Sequence, residues 1–76
     1  MKVDILSPNK RIFQGQSDSI ILPGREGQFQ VLDNHANLFA LLDKGEIVID
    51  NGKKIPIFSG IIKFSKNHAI ILIKEL

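Results

Sequence analysis

Pro23-Gly24-Arg25-Glu26-Gly27-Gln28-Phe29-Gln30-Val31-Leu32-Asp33-Asn34-His35-Ala36-Asn37-Leu38-Phe39-Ala40-Leu41-Leu42-Asp43-Lys44-Gly45 is the stretch on which the fold turns. Gly24 and Gly27 bracket a charged pair, as a reversing chain requires, because glycine accepts positive φ without a Cβ clash. Gln28-Phe29-Gln30-Val31 then alternates cleanly and puts Phe29 and Val31 on one face of a strand. Asn34 is the non-glycine residue most at ease in the left-handed region, so the Asn34-His35-Ala36 corner is a second reversal. Asn37 to Leu42 holds good helix formers. Six residues between two turn signals are too few for a stable helix, and the flanking strands favour a strand here too.

Outward from this centre the same alternation recurs. Val3 and Ile5 alternate with Lys2 and Asp4, and Ser7-Pro8-Asn9 turns the chain. Arg11 to Gly15 is a second short strand with Ile12 and Phe13 as its apolar pair. Gln16-Ser17-Asp18 ends it, and Ser19-Ile20-Ile21-Leu22 forms a third. Downstream, Asp50-Asn51-Gly52 separates two isoleucine-rich runs, a strong hairpin signal. A two-residue loop of Asn51-Gly52 would set Ile49 opposite Lys54 and Val48 opposite Ile55. A three-residue loop instead puts Ile47, Ile49, Ile55 and Ile57 on one face, with Gly52 at the left-handed bulge position. Because a one-residue slip turns every side chain over, the three-residue loop is expected. Pro56 supplies no ladder donor, so its strand is an edge or is bulged there. Gly60 to Phe64 and Ala69 to Ile73 form a second hairpin over Ser65-Lys66-Asn67-His68. The last strand is apolar on both faces, so its outer face, with Ile70 and Leu72 (or Ile71 and Ile73 in the other register), must be covered or it is a docking surface. Many short strands between turns predict an all-β chain, a small antiparallel β-sandwich or flattened barrel, with residues 1–76 as one domain.

Composition narrows the function classes. The 76 residues carry no cysteine, which excludes a disulfide frame, thiolate metal ligands and a thiol nucleophile. Nothing at the start reads as a signal peptide, and no apolar run approaches the roughly 18 residues of a membrane span. A net charge of +2, spread over scattered lysines and arginines, is too weak for a nucleic-acid footprint. An oligonucleotide-binding barrel would also need exposed aromatics among the basic residues. Phe13, Phe29, Phe39, Phe58 and Phe64 fall instead mostly on strand positions assigned to the core. Asp4, Asp18, Glu26, Asp33, Asp43, Glu46, Asp50 and Glu75 lie mostly beside turns or on outer faces. No Ser-His-Asp arrangement is legible in the spacing, and His35 and His68 are too few for a histidine metal site. No catalytic residue, metal ligand or cofactor is therefore expected.

The chain resembles the amino-terminal domain of the epsilon subunit of the bacterial F-type ATP synthase. That family has a Gly-x-x-Gly loop, a short strand, a Pro-Gly-His-Ala corner, a leucine-rich segment and a glycine before a β-hairpin. Gly24, Gly27, His35, Ala36, Leu38 and Gly45 follow this order, and Val3 to Pro8, Phe13-Gln14-Gly15 and Phe58-Ser59-Gly60 extend it along the chain. The chain departs from the pattern at Asp33-Asn34, which replaces Pro-Gly, at Gln30, where a small residue is common, and at Ile61, where a second glycine is usual.

The resemblance implies a small β-sandwich in the rotating central stalk, non-catalytic and without cofactor. It would be one copy per complex, peripheral on the cytoplasmic side of the bacterial inner membrane. It places Arg25, Glu26 and Gln28 against the c-ring, and Ser7, His35, Ser59, Ile70 and Leu72 against the gamma subunit. Read locally, Arg25 and Glu26 are a solvated turn, and His35 is a loop histidine bonded to a nearby backbone carbonyl. Relatives carry a helical pair after the sandwich that inhibits ATP hydrolysis or binds ATP. No capped helical pattern follows the last strand of this sequence, so coupling and assembly without ATP binding are the expectation. The rival class is a lipoyl- or biotinyl-type carrier with a modified hairpin lysine. Lys53 and Lys54 follow a hairpin turn but lack the Asp-Lys-Ala or Met-Lys-Met flanks of an acceptor.

Overall fold

Alternating β-branched and polar residues build eight strands in the computed structural model, which describes residues 1–76. They are β1 (Lys2–Leu6), β2 (Arg11–Gln16), β3 (Ser19–Gly24), β4 (Gly27–Leu32), β5 (Leu38–Leu42), β6 (Gly45–Ile49), β7 (Lys53–Ser65) and β8 (His68–Glu75). The order is β2-β1-β8-β7-β5-β3-β4, with β6 bridging β3 and β7. Every pair is antiparallel except β1 with β8, a parallel pair not foreseen from the sequence. The sheet folds over at β7 and closes a flattened β-sandwich. The Asn37–Leu42 ambiguity resolves as strand β5.

β7 does most to shape the sandwich. Its first part pairs with β6 and its second with β5 and β8, so one 13-residue strand serves both layers. A bulge makes this possible: Ile57 pairs with Glu75 and Ser59 with Lys74, leaving Phe58 as the extra residue. The inward positions change phase there, from Ile55 and Ile57 to Ile62 and Phe64, all buried. The two strands expected either side of Gly60 are thus one bent strand. Pro56 sits before the pairing with β8 begins, where a missing donor costs nothing. The core comprises sixteen buried apolar residues drawn from all the strands except β2, with Phe13 and Phe29 packed partly buried against it. Of the five phenylalanines only Phe64 is fully enclosed; Phe39 and Phe58 are exposed, contrary to the sequence expectation.

The turns correct two further details. The β6–β7 loop has the expected three residues, since Ile49 pairs with Lys53. The left-handed residues, however, are Asp50 and Asn51 (φ 51° and 58°), and Gly52 is not one of them. The β7–β8 loop is shorter than expected. Ser65 pairs with His68, leaving Lys66 and Asn67 as a two-residue turn, both left-handed. Asn34 is left-handed as anticipated, and so is Gly27, at φ 122°. Gly24 is bare for another reason: a Cβ there would lie 2.6 Å from the Gly27 carbonyl and 2.7 Å from the Phe29 ring.

Asp50 ties the β6–β7 turn to the start of β3. Its Oδ1 accepts from Ser17 Oγ and the Asp18 N–H, both at 2.9 Å, and from the Ser19 N–H at 3.2 Å. The Asp18 N–H foremost, then the Ser17 hydroxyl, hold its carboxyl below the usual carboxylate range. The sign follows by linkage: this contribution is complete above the unfolded carboxylate value of about 3.9 and disappears as pH falls through the depressed folded value. Asp50→Ala is expected to lower the urea midpoint clearly near neutral pH. The gap to wild type should close in strong acid, where both chains carry a neutral group. A gap of equal size at both pH values would show that the carboxylate charge plays no part.

Candidate functional site

Strand pairing sets side chains in rows, since directly opposed residues share a face. Across the layer β5-β7-β8-β1, Leu41 opposes Ile61, Ile61 opposes Leu72, and Leu72 opposes Leu6. The next row holds Phe39, Lys63, Ile70 and Asp4. Both rows point away from the core. Phe39 is 65% exposed, Leu72 45%, Leu41 42% and Ile70 38%, with Leu6 and Ile61 half-buried. Large apolar side chains on four adjacent strands form one continuous outer patch, the signature of an interaction surface.

Polar groups frame the patch. Asp4 Oδ2 accepts from His68 Nε2 at 2.7 Å, beside Ile70. At the other end Lys74 Nζ lies 5.2 Å from the centroid of the exposed Phe58 ring, a cation–π contact. The register leaves Ile70 and Leu72 on the outer face and buries Ile71 and Ile73, deciding between the two alternatives.

Four of the five residues expected at a gamma contact gather on this side. Ser7 follows β1 and shares a shallow groove of about 350 Å³ with Leu72 and Lys74. Ser59 opposes Lys74, one row beyond Leu72. His35 lies apart from them. Its Nδ1 donates to the Ala36 carbonyl at 2.7 Å, the bond expected of an ordinary loop histidine, and its ring stands perpendicular to that of Phe64, centroids 6.1 Å apart. The neighbouring Asn34 N–H donates to Asn67 Oδ1 at 2.7 Å, so this corner sits by the β7–β8 turn. Ser59 and Ser7 are at the far end of β8, about 20 Å away at 3.3 Å per residue.

The β3–β4 hairpin tip is separate again. Gly24 opposes Gly27, so Arg25 and Glu26 form its two-residue loop, and Gln28 is exposed on β4 opposite Pro23. Arg25 Nε reaches Asp43 Oδ1 at 3.3 Å, and the Arg25 N–H donates to the Leu41 carbonyl at 3.0 Å. These bonds fix the tip against β5 and leave Glu26 without an ion pair. Lys53 and Lys54 are held in the β6–β7 ladder opposite Ile49 and Val48, instead of being displayed on a loop. No three His, Cys, Asp or Glu side chains converge as metal ligands would. No helix is long and apolar enough to cross a membrane.

Sequence reading missed Leu6, Phe39, Leu41 and Ile61 as parts of the face. The signal was available in Leu38 to Leu42, a strand apolar on both sides, though the row needs the β1–β8 and β5–β7 pairings to appear.

These features define a small β-sandwich with one large exposed apolar face. The chain belongs to the ATP synthase delta/epsilon chain β-sandwich domain family, which it matches over residues 1–76. It is 40% identical over 75 residues to the ATP synthase epsilon chain of Leptospira interrogans, covering 95% of this chain and 59% of that one. It is 35% identical over 79 residues to the epsilon chain of Chlorobium limicola, covering 99% and 90%. It therefore spans about three fifths of the length of the Leptospira relative. Among solved structures, the fold matches a chain of the Tetrahymena thermophila mitochondrial ATP synthase central stalk and c-ring. The TM-score is 0.82 at 16% identity, over 97% of this chain and 63% of that one. A chain of the Euglena gracilis mitochondrial ATP synthase matches with a TM-score of 0.83 at 22% identity, over 96% and 49%.

Proposed function

We propose that this chain acts as an epsilon-type rotor element of a bacterial F-type, proton-translocating ATP synthase. It is a non-catalytic link that joins the gamma subunit to the c-ring and supports coupling and assembly. The observation that carries the reading is the apolar outer face of β5-β7-β8-β1. A row of exposed Leu41 and Leu72 with half-buried Ile61 and Leu6 has no use in a solitary chain and suits a permanent partner, whose interface resembles a divided core. Gamma occupies that face in this account, in contact with Ile70, Leu72, Ser7 and Ser59. His35 then meets gamma only if the contact extends to the β7–β8 end.

Arg25, Glu26 and Gln28 face the c-ring. A hairpin tip held by Asp43 and the Leu41 carbonyl presents one free carboxylate and one amide, which suits a polar loop better than lipid. The element works peripherally on the cytoplasmic side of the inner membrane, as one copy per complex, without cofactor or nucleic acid. Its mechanical part follows from its build. A sandwich of eight hydrogen-bonded strands measuring 29 × 26 × 21 Å has little internal freedom, so force received at one surface is delivered at the other.

Replacing Arg25, Glu26 and Gln28 together by alanine is expected to loosen ring attachment while leaving the thermal midpoint of the free chain nearly unchanged, because all three are exposed. Cysteines at the same positions should crosslink to the c-subunit polar loop. Unfolding of the triple variant would assign the tip a structural role instead. Co-purification of gamma and c-subunits with this chain from native membranes tests the reading as a whole; recovery of neither would overturn it.

A further inference from the structure

The outer patch does not end at β5; it turns into the sandwich. Leu41 and Phe39 also line a mouth of about 410 Å³ between β5 and the β3–β4 hairpin, with Phe29, Ala40 and Gly24 forming its floor and walls. The mouth exists because β5 and β3 touch only at Gly24 and Leu42 before diverging.

That divergence leaves backbone unpaired. β5 pairs with β7 from Leu38 to Leu42 on one side. On its other side the Leu41 carbonyl accepts from Arg25, so alternate residues present their groups there, as antiparallel geometry dictates. The Phe39 N–H, the Phe39 C=O and the Leu41 N–H therefore point into the mouth without a strand partner. Exposed edges are normally blunted by charge, proline or a bulge. Of the outermost strands, β2 carries Arg11 and pairs with β1 through a register shift, while β4 has no charge but sets polar Gln28 and Gln30 along its length. Leu38-Phe39-Ala40-Leu41-Leu42 has no such protection. A bare apolar edge, opening onto an apolar mouth and continuous with an apolar face, is a template for strand addition.

We propose, building on the docking of gamma to the outer face, that gamma also adds an extended segment to the free edge of β5 and lengthens the sheet by one strand. Gamma is the occupant because Phe39 and Leu41 belong to the face and to the mouth at once, so whatever covers one reaches the other. The segment carries an apolar side chain that enters the mouth against Phe29.

Residue-resolved amide exchange on the free chain and on its complex with cognate gamma tests this. In the free chain the Phe39 and Leu41 amides exchange quickly, and in the complex they slow by on the order of 100-fold, as newly bonded amides do. A complex in which both amides still exchange at the free rate overturns the strand addition and leaves the docking of gamma standing. Failure to form any complex overturns both. Protection that grows with chain concentration without gamma would assign the edge to a second copy and overturn the proposal, as would protection by c-ring alone.

Proline supplies an independent arm. Phe39→Pro removes an N–H that bonds nothing in the free chain, whereas Phe39→Ala removes only the ring. Phe39→Pro is expected to bind gamma at least tenfold more weakly than Phe39→Ala, with both circular dichroism spectra unchanged. Equal affinities would overturn the strand addition. If the proline variant loses its sheet spectrum, the exchange rates decide.

Discussion

Leu72→Asp is expected to abolish gamma binding while the chain keeps its β-sheet spectrum and its thermal midpoint. Leu72 is exposed in the free chain, so aspartate there meets water and costs the fold little. In the complex the same carboxylate would be enclosed among Leu6, Ile61 and Leu41 without a partner. Burying an unpaired charge costs at least several kcal/mol, and about 4 kcal/mol is already a thousandfold in affinity. Ile70→Asp should act in the same direction, less severely, because Asp4, His68 and Lys63 make its surroundings more polar. Titration of gamma with each variant, alongside circular dichroism, provides the check. Unchanged affinity for Leu72→Asp would move the gamma seat to another surface.

Phe64→Ala carries the largest expected effect on stability. Phe64 is 1% exposed, is the largest fully buried side chain, and stands in a T-shaped contact with the His35 ring. Truncating such a residue costs about 3–5 kcal/mol through lost transfer energy and the cavity left behind. At roughly 0.05–0.15 kcal/mol per residue, a domain of this size has about 4–11 kcal/mol in all, so the loss is a large share of it. The variant should melt far below wild type, or retain secondary structure without fixed packing. A denaturation midpoint close to wild type would mean that neighbouring side chains collapse into the space.

Phe64 also marks the limit of what alternation can tell. Ile55 and Ile57 point inward on odd positions, and Ile62 and Phe64 on even ones. A sequence pass meets this phase change at Gly60 and reads two strands, because glycine and a broken period both look like a stop. The cause is the bulge at Phe58, and Gly60 is required there for a different reason: a Cβ would lie 2.6 Å from the Leu72 carbonyl. Adjacent apolar pairs, Ile57-Phe58 and Ile61-Ile62, hide the phase further by making both faces look buried.

The remaining discrepancies share an origin in distant partners. Gly52 was the natural left-handed residue on local grounds. Asp50 and Asn51 take that conformation instead, and it carries the Asp50 carboxylate onto Ser17, 33 residues away. Hairpins and the fold class were legible because both depend on neighbours in sequence. The docking face was half legible: the two-sided apolar character of β8 announces an outer surface. Its extent depends on β8 lying beside β1 in parallel, a pairing between the two ends of the chain that no local pattern encodes.

Photocrosslinking within the assembled synthase shows what covers the outer face of β5-β7-β8-β1, which is gamma if the docking proposed above holds. Lys63 sits between Phe39 and Ile70 on that face, is exposed and makes no ion pair, so p-benzoylphenylalanine in its place should be tolerated. Irradiation of the intact complex is predicted to give one dominant adduct containing gamma. An adduct with any other subunit or with a second copy of this chain, or no adduct at all, would contradict the account.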